Sequence, residues 1–523
     1  MDLGRSLGRV VFDGWTSLRA GLMAMRSPRA AMAYVADRRR YLSYKAASKT
    51  GANRAWRGDR RSADATIALE WRDVVARARD LAKNSPYVSG ALEKICDNVV
   101  FTGIRPQFVV VRGGTMVDIV VDRPMARKLE KLYKRWAKAV WAVEAQELGL
   151  RHLWTDGEYL IHFFVDPSLA ERGLPPINFE LLEADHLDSS VHGDMADGHT
   201  ARRGIEYDAS GHAVAYHLFP EHPGGAGLRT LGSSRRIDAR SVEHVYAQKR
   251  ISQSRGISWL ASIIMWMRNF EEYQDSEQIA MRLLSAFGFV VETPYPEDGN
   301  PMGGVSLTGE AATDGTGAGS LRPGDFINPG QIVTAPVGSK VSAVGYDRPG
   351  SNYEPWVTSQ LRGAAAGAGV AYETFTGDLT KTTYSGGRHG KLVEQRAFRR
   401  QQAILNREHN DPIIERFIEF AQLAGLVDLT GCEVETEWLN PGWPWVDPRN
   451  DAQAAKLEYE MGITTLTALC AARGLDFEEI TAKRREELDV LAEAGFGPVA
   501  EPAPDSAPDT ANDAPDEKDK EDE

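Results

Sequence analysis

The sequence of 523 residues lacks long apolar runs: no stretch offers the roughly 20 consecutive apolar residues that a membrane-spanning helix needs. The first 25 residues are mildly apolar, but charged side chains at Arg5, Arg9, Asp13 and Arg19 interrupt them. A signal peptide has an unbroken apolar segment, so these charges argue against one. We therefore expect that the protein is made in the cytoplasm and has no membrane partner.

Cysteine is scarce, and its spacing is uninformative for chemistry. Cys96, Cys432 and Cys470 are the three cysteines, and no two of them are close in sequence. This distribution argues against both a disulfide framework and a zinc site. We expect all three to be buried free thiols, which is the usual environment of an unpaired cysteine.

The usual catalytic motifs are also missing. The sequence contains no phosphate-binding loop, no nucleophile elbow, no zinc-protease motif and no calcium loop. The glycines of 315–319 resemble a dinucleotide-binding turn, but no helical pattern follows them. We expect no catalytic residue, no cofactor and no metal. Energy for any ATP-driven step would then come from a partner.

One group of polar residues leaves an enzymatic alternative open. Glu183, Asp185, His186 and Asp188 are of the types that hold the metal ion of a nuclease. They also lie at a predicted junction between a strand and a turn, where Asp and His are common for structural reasons. A metal-dependent DNA-processing enzyme therefore remains an alternative function, beside a capsid or tail structural protein that never contacts DNA.

Charge is distributed unevenly along the chain. The net charge is −13, yet residues 1–62 hold fourteen Lys and Arg against four Asp and Glu. Residues 498–523 hold ten acidic residues against two lysines. Proteins that bind nucleic acid tightly usually have a basic folded body, which this chain lacks. We expect a basic arm that folds only against a neighbour, and a disordered, solvated acidic tail.

The first half of the chain is predicted to be helical at its start and strand-rich later. A helix is expected from Asp64 to Asn84, ending before Pro86, with apolar residues at helical spacing: Ile67, Trp71, Val74, Val75, Ala78 and Leu81. Further helices are expected at Val88–Val100 and near Pro124–Val143. Strand-like sequence then continues to about Tyr246, including 159–164 and 204–207.

The second half is predicted to contain several long helices. The longest runs from Ile257 to about Phe287, and its apolar stripe comprises Trp259, Leu260, Ile263, Ile264, Met267, Phe270, Tyr273, Ile279, Leu283 and Phe287. A glycine-rich stretch at 303–324 and a strand run at 327–346 precede a helix at Tyr353–Ala368.

A long helix is also expected from about Leu392 to Leu423, kinked or broken at Pro412, with the apolar residues Val393, Phe398, Ile404, Ile413, Ile414 and Phe417. Three further helices are predicted at 449–461, 465–473 and 477–494. Trp438, Trp443 and Trp445 precede them, and such aromatic clusters more often belong to a core than to a binding surface.

Two separated segments resemble one protein family. The first contains Arg79-Asp80-Leu81, Asn84-Ser85-Pro86-Tyr87 and Gly103-Ile104, and the second runs from Tyr353-Glu354-Pro355-Trp356 through Thr376-Gly377-Asp378 to Arg388. Both closely resemble the portal proteins of lambda-like tailed bacteriophages. The resemblance extends from Tyr44 to about Gly497. It implies a mixed α+β portal fold with a wing, a stem of long helices, a small clip and a helical crown.

The resemblance also implies an order of domains along the chain. The expected segments are a basic N-terminal arm (1–62), a wing (63–250), a first stem helix (251–288), a clip (289–350), a second stem helix (351–370), a tunnel loop (371–390), the long wing helix (391–440), C-terminal crown helices (441–497) and an acidic tail (498–523).

A family member of this kind forms a ring, of about twelve subunits, at one vertex of the capsid. The resemblance therefore implies a channel for packaging and ejection of double-stranded DNA, bound weakly and without sequence preference. The partners it implies are the large terminase subunit, head-completion and adaptor proteins, and the major capsid and scaffold proteins. It implies a location in the virion, and in the host cytoplasm during assembly.

Two groups of residues are implied to face the channel. The tunnel-loop group is Asp378, Lys381, Thr383, Tyr384, Ser385, Gly386, Gly387, Arg388 and Lys391. The stem group is Glu271, Glu272, Asp275, Glu277, Tyr353, Trp356, Gln360 and Arg362. The acidic residues of the stem would repel phosphates if they faced the lumen, although a solvated helix face is the default explanation for such a run.

The chain departs from the family pattern at two places. Gly386 and Gly387 stand where the family has Ser followed by a variable residue, and they are expected to loosen the loop backbone. Ile251-Ser252 follows Arg250 where relatives commonly have Pro-Gly.

Overall fold

The computed structural model describes residues 27–30, 32, 55, 58–113, 120–195, 197–225, 233–286, 290–292, 340–342, 350–380 and 382–495. For Val120, Tyr384 and residues 283–286, 290–292 and 340–342 it describes the backbone only. The chain divides into two compact units, Met1–Thr66 and Ile67–Glu523. Most of the expected N-terminal arm, most of the expected clip with its glycine-rich stretch, and the acidic tail lie outside the described residues.

The first two helices form as the apolar spacing predicts. Helix α1 spans Ala63–Asn84 and α2 spans Pro86–Val99. Between them Ser85 is extended, with φ −82° and ψ 116°, as a residue before proline must be. In α1 the predicted apolar face is buried except for Val74, which is half-buried.

The next segment contains a helix that the sequence interpretation missed. Strands β1 (Arg105–Arg112) and β2 (Val120–Val121) precede α3 (Arg123–Ala139), whose first turn is capped by Asp122. The expected helix to Val143 ends at Ala139 because Trp141 adopts a left-handed conformation, with φ 59°. A new helix, α4 (Ala142–Thr155), follows where strand-like sequence was expected. Its buried residues recur at helical spacing: Ala142, Gln146, Gly149, Leu150, Leu153 and Trp154.

The strand-rich body lies where the alternating sequence predicts it. Strand β3 (Glu158–Val165), the short helix α5 (Pro167–Glu171) and β4 (Ile177–Glu183) come first. The strands that follow are β5 (Gly193–Asp194), β6 (Thr200–Arg202), β7 (Ile205–Tyr207), β8 (Ala213–Leu218), β9 (Arg235–Asp238) and β10 (Val242–Tyr246). They form two antiparallel sheets, in the orders β10-β3-β4 and β5-β6-β7-β8-β9.

The predicted first stem helix is shorter at its start than expected. A 3₁₀ turn at Trp259–Ser262 precedes α6 (Ile264–Ala286), so the 23 described α-helical residues measure about 35 Å. Its stripe is buried only as far as Phe270. Tyr273 is 40% exposed and Ile279 is 55% exposed, while Glu277 takes the buried position instead. The side chain of Leu283, together with Phe287, lies outside the described residues.

The next elements match the prediction where they are described. Strands β11 (Val290–Glu292) and β12 (Lys340–Ser342) form an antiparallel pair, and β12 lies inside the expected strand run. Helix α7 spans Tyr353–Ala368, the predicted bounds. It ends at Gly369, whose φ of 72° is the left-handed conformation that glycine adopts easily.

The long helix after the predicted tunnel loop begins earlier than expected. A short helix α8 (Tyr372–Thr376) is followed by α9 (Tyr384–Leu405), which starts eight residues before Leu392. A π-helical turn at Asn406–Asn410 separates α9 from α10 (Asp411–Leu423). The expected kink or break at Pro412 thus corresponds to a π-helical interruption just before it, and the proline lies in the first turn of α10. Val393, expected in the apolar face, is 55% exposed.

The C-terminal part contains one unpredicted strand and three predicted helices. Strand β13 (Cys432–Leu439) pairs with β1 along its whole length in an antiparallel register. Helices α11 (Pro448–Glu460), α12 (Leu466–Ala471) and α13 (Phe477–Glu493) then follow within a few residues of the predicted bounds. The mixture of helices and strands agrees with the expected fold class.

Two large hydrophobic clusters hold these elements together. One joins the sheet of β3 and β4 to α3 and α10, and the other joins α2 to the start of α6, α7 and α9. Trp438 packs against both clusters, and Trp443 packs against the second. Trp445 belongs to neither cluster: its side chain is exposed, and the Arg473 guanidinium lies over its ring. Cys96 is buried as expected, but Cys432 and Cys470 are only half-buried. Among the described residues, no helix has the length and apolarity to span a membrane.

Candidate functional site

Helices α6 and α7 pack side by side in opposite directions. Ile263, at the start of α6, meets Gly367 near the end of α7, and Tyr273 meets Tyr353 at its beginning. Trp356 of α7 lies between the rings of Phe270 and Tyr273, at centroid distances of 5.9 Å and 4.0 Å. This antiparallel pair is the arrangement that a stem of two long helices requires.

Two glycines allow the helices to approach each other closely. A Cβ atom on Gly363 would lie 2.5 Å from the indole ring of Trp266, and one on Gly367 would lie 2.4 Å from a methyl group of Ile263. The indole N–H of Trp266 donates to the Gln360 carbonyl oxygen at 2.7 Å. The pair is therefore fixed by shape and by a hydrogen bond.

The four acidic residues of α6 do not share one face. Glu272 and Asp275 are exposed and three residues apart, so they lie on the same side of the helix. Glu272 is paired with Arg268 at 2.9 Å. Glu271 is half-buried and Glu277 is buried. Glu272 and Asp275 thus remain the candidates for a surface that could face a lumen.

The predicted stem residues of α7 are mainly engaged within the chain. Tyr353 and Trp356 pack against α6, and Gln360 binds Trp266 through its backbone oxygen. The guanidinium of Arg362 lies over the ring of Tyr372, 5.5 Å from its centroid. These contacts give the four residues a structural role in the chain.

The segment between α7 and α9 is tied to neighbouring helices. The buried carboxylate of Glu394 accepts from the Ala371 amide at 2.9 Å and from the Thr374 hydroxyl at 2.8 Å. In the middle of α8, the Lys94 ammonium donates to the Thr374 carbonyl at 2.8 Å. Asp378 accepts from the Tyr372 hydroxyl at 3.2 Å. Helix α8 is therefore connected to α9 through Glu394 and to α2 through Lys94.

The end of the predicted tunnel loop is helical. Thr383 caps α9 by accepting from the Gly386 amide at 3.3 Å, so Ser385, Gly386 and Gly387 lie in its first turn. The glycines that favoured a loose loop are thus compatible with a helix when a threonine cap precedes them. Lys381 and the side chain of Tyr384 lie outside the described residues.

The two cations of the predicted loop that are described differ in environment. Arg388 forms a salt bridge of 2.7 Å with Asp451 of α11, which connects the beginning of α9 to the C-terminal helices. Lys391 is exposed. Lys391 is therefore the described cation of this group that remains accessible to a ligand, while Arg388 is committed to an intrachain pair.

A buried polar network surrounds the π-helical turn, and the sequence interpretation did not anticipate it. The Gln146 side chain bonds to both backbone groups of Ile104 and to Asn410. Asn410 donates to Asn406, and Nδ1 of His409 lies 2.8 Å from the Tyr159 hydroxyl. Burial lowers the pKa of His409 to about 3, so this imidazole is neutral. Asn406, His409 and Asn410 are spaced at i, i+3 and i+4. This spacing is the sequence signal that could have indicated the network.

An arginine lies among the acidic residues of the candidate nuclease cluster. The Arg79 guanidinium contacts Asp156, Glu183 and Asp185, each at 2.7 Å. Glu183, Asp185 and His222 are close enough to hold a cation, but Arg79 supplies the positive charge at that place. His186 bonds to the Phe219 carbonyl, and Asp188 to Ser190 and Ser234. The arrangement favours the structural interpretation of these residues.

The C-terminal helices expose apolar side chains. None of the residues of α11, α12 and α13 is buried within the chain. Large apolar residues stand exposed along them: Leu457, Tyr459, Met461, Ile463, Leu466, Leu475, Leu488, Val490 and Leu491. So many exposed apolar groups on neighbouring helices are typical of a surface that another protein covers.

Comparison with known proteins identifies the family. Residues 49–402 match the family model described as "Phage portal protein, lambda family". The "Probable portal protein" of Halomonas phage phiHAP-1 is 24% identical over 465 residues, which cover 85% of this chain and 86% of that protein. "Portal protein B" of Escherichia phage lambda is 22% identical over 498 residues, covering 86% and 90%.

A solved chain in the "Virion of native gene transfer agent (GTA) particle" is also similar, with a TM-score of 0.41 and 13% identity, covering 80% of this chain and 96% of that one. The family model alone covers about two thirds of the 523 residues. The chain therefore belongs to the lambda family of phage portal proteins.

Proposed function

We propose that this protein closes into a ring at one vertex of the phage capsid and that double-stranded DNA passes through the ring during packaging and ejection. Family membership supports the portal role, and portal proteins are structural proteins rather than enzymes. The observation that carries the ring is the exposed apolar surface of α11, α12 and α13, which has no cover within the described part of the chain. A neighbouring copy would cover it.

The stem pair supplies the wall of the proposed channel. If twelve copies each place one helix at about 10 Å spacing, the ring of helix axes is about 38 Å wide and about 28 Å is clear. Duplex DNA is about 20 Å wide, so it would pass with a thin layer of water. Asp275, exposed on α6, would repel phosphates there and disfavour binding of the duplex, whereas Arg268 offsets the charge of Glu272.

The segment 371–390 is the proposed constriction of the channel. Its tunnel-loop role stays a prediction for residues 377–383, since α8 and α9 take up most of the rest. The hydrogen bonds of α8 to Glu394 and Lys94 would anchor such a constriction at its base. Lys391 is the cation best placed to contact phosphates weakly.

The remaining domain assignments and partners belong to the same proposal. Residues 63–250 and 391–440 would form the wing, 441–497 the crown, and 289–350 the clip. The clip would bind the large terminase subunit first and the head-completion proteins later. The basic arm at 1–62 would bind the scaffold, the capsid shell or an adjacent subunit. Assembly would take place in the host cytoplasm before the protein becomes part of the virion.

Electron microscopy of the purified full chain tests the central claim. We expect rings with an axial opening of duplex width. A compact monomer without a pore, at every protein concentration, would exclude the proposal.

Incubation of the same preparation with Mg²⁺ or Mn²⁺ and linear duplex DNA tests the enzymatic alternative, because only a metal-dependent nuclease would cleave the DNA. Deletion of residues 1–43 tests the arm, since unchanged assembly and capsid incorporation would remove its proposed role.

A further inference from the structure

Helix α3 presents a strongly basic face to solvent. Its exposed cations are Arg123, Arg127, Lys128, Lys131, Lys134, Arg135 and Lys138. The one acidic residue of the helix, Glu130, is half-buried and close to the Phe108 amide. The opposite side packs into the core through Leu129, Leu132, Tyr133 and Trp136. The helix is thus an anchored support for seven positive charges.

Four of these cations form no close ion pair or hydrogen bond in the described part of the chain. Arg123 and Arg127 lie 3.9 Å and 2.9 Å from carboxylate oxygens of Glu478, and Arg135 donates to the Arg172 carbonyl. The four lysines make no such contact within the residues that the structure describes. Their spacing of three, three and four residues places them in one row along the helix: Lys128, Lys131, Lys134 and Lys138.

The chain itself contains a segment of complementary charge. Residues 498–523 hold ten carboxylates and two lysines. We propose that this acidic segment binds along the lysine row of α3 in the same chain. The partner is thus a negatively charged peptide, and the contact is electrostatic.

The path of the chain permits this contact. Helix α13 begins beside α3, because Glu478 pairs with Arg127 and Asp476 accepts from Gln107 of β1 at 2.7 Å. Its 17 residues measure about 25 Å, so the helix can carry the chain at most that far from α3. From 496 to 523 there are 28 residues, and a flexible chain of that length has a mean end-to-end distance of about 30 Å. The carboxylates can therefore return to the lysine row.

Tethering favours this occupant over free polyanions. A segment attached at that distance is present at an effective concentration of about 1 mM, whereas duplex DNA must first be encountered. DNA phosphates would be attracted to the same lysines. Binding of DNA at α3 in the unaltered chain is therefore the outcome that would contradict the proposal. The inference uses charge and reach alone, so it does not depend on the ring or the channel.

Zero-length carbodiimide cross-linking of the full chain, followed by mass spectrometry, tests the contact. We expect peptides joining carboxylates of 498–523 to the lysines of α3, and at least fivefold fewer of them in 0.5 M NaCl, where charges are screened beyond about 4 Å. Oligomers assembled from equal amounts of ¹⁴N and ¹⁵N chain show which copy supplies the segment. If both peptides of every cross-link carry the same isotope, the segment and α3 belong to one copy, which supports the proposal. Cross-links with a statistical mixture of isotopes contradict it.

Two full-length variants complete the test. Neutralising the row as K128Q/K131Q/K134Q/K138Q should shift the remaining links to other lysines, while the control K483Q/R484Q/R485Q, on the exposed surface of α13, should leave the α3 links unchanged. Equal loss in both variants would show non-specific attraction. In a chain whose ten tail carboxylates are changed to amides, we expect at least tenfold tighter duplex binding at 50 mM salt. Unchanged DNA affinity would contradict a covered lysine row.

Discussion

At the residue scale, one buried carboxylate holds the segment that leads into α6. Glu158, the first residue of β3, accepts from Arg255, from the Gly256 amide at 2.6 Å and lies 2.9 Å from Nε2 of His244. Burial alone would raise the pKa of Glu158, but the Arg255 charge and His244 lower it to about 2. Because Arg255 and Gly256 lie a few residues before the 3₁₀ turn at Trp259–Ser262, this group connects the start of β3 to the segment that leads into α6.

Replacement of Arg255 by Met tests that role. The change leaves a buried carboxylate without its guanidinium, which typically costs about 3–5 kcal/mol of the free energy of unfolding. Denaturant unfolding measures the loss. The matched control is Arg268→Met, which breaks the exposed pair with Glu272 and should cost less than about 1 kcal/mol. Equal losses in the two variants would contradict the importance of burial.

His409 makes stability depend on pH. Its pKa in the folded protein is about 3, against about 6.5 for an ordinary histidine, so the unfolded chain binds a proton more readily between these values. The contribution of the neutral His409 to the free energy of unfolding is complete above pH 6.5 and is lost as the pH falls toward 3. We expect His409→Gln to flatten the dependence of the melting temperature on pH from 7.5 to 4.5, because glutamine accepts from Tyr159 without titrating.

The control for this prediction is His212→Gln, whose side chain is exposed. Its melting curves should follow those of the unaltered protein at every pH. Parallel curves for the His409 variant and the unaltered chain would show that another group causes the acid sensitivity.

At the element scale, α6 and α7 depend on a close approach of their backbones. Gly363→Ala places a methyl group 2.5 Å from the Trp266 ring, so we expect a loss of about 1–3 kcal/mol in the free energy of unfolding. Gly90→Ala in α2 is the matched control. Its Cβ would meet nothing within 4 Å, so this helix should gain about 0.5–1 kcal/mol.

A second-site change makes the test specific. Trp266→Phe removes the indole atoms that the new methyl group meets, and it should restore part of the stability lost in Gly363→Ala. If the double variant loses as much stability as the two single variants together, the contact between the two helices does not explain the loss.

The elements also show what local sequence can predict. Helices α1, α7 and α11 were predictable because their apolar spacing or caps agree with the final structure. The pairing of β1 with β13 was not predictable, since its partners are more than 300 residues apart in sequence. Strand β13 alternates half-buried and exposed residues, and its identity depends on β1 rather than on its own composition.

For the site residues, the sequence predicts the type of side chain but not its environment. The acids of α6 could be named from sequence, but burial separates Glu277 from Glu272 and Asp275. Arg388 could be named as a cation, but its pairing with Asp451 depends on where α11 lies. Such facts come from tertiary packing, and the resemblance to a family does not contain them.

At the scale of the whole molecule, charge and apolar surface have different distributions. The net charge is −13, and a strongly charged protein is kept apart from other copies unless a specific surface overcomes the repulsion. The exposed apolar residues of the C-terminal helices are the described surface best suited to this. Assembly should therefore depend on them, and it should tolerate salt, which screens the repulsion without weakening apolar contacts.

The triple change L457S/L488S/V490S tests this dependence, because it removes exposed apolar groups from α11 and α13 without touching the core. We expect the oligomer to dissociate at a protein concentration at least tenfold higher than for the unaltered chain, measured by mass photometry. The control K456S/E486S/D489S changes exposed polar neighbours on the same helices. It also introduces three serines into these helices, but it leaves their apolar surface intact. An unchanged oligomer in the first variant, or equal weakening in both, would place the subunit contact elsewhere in the chain.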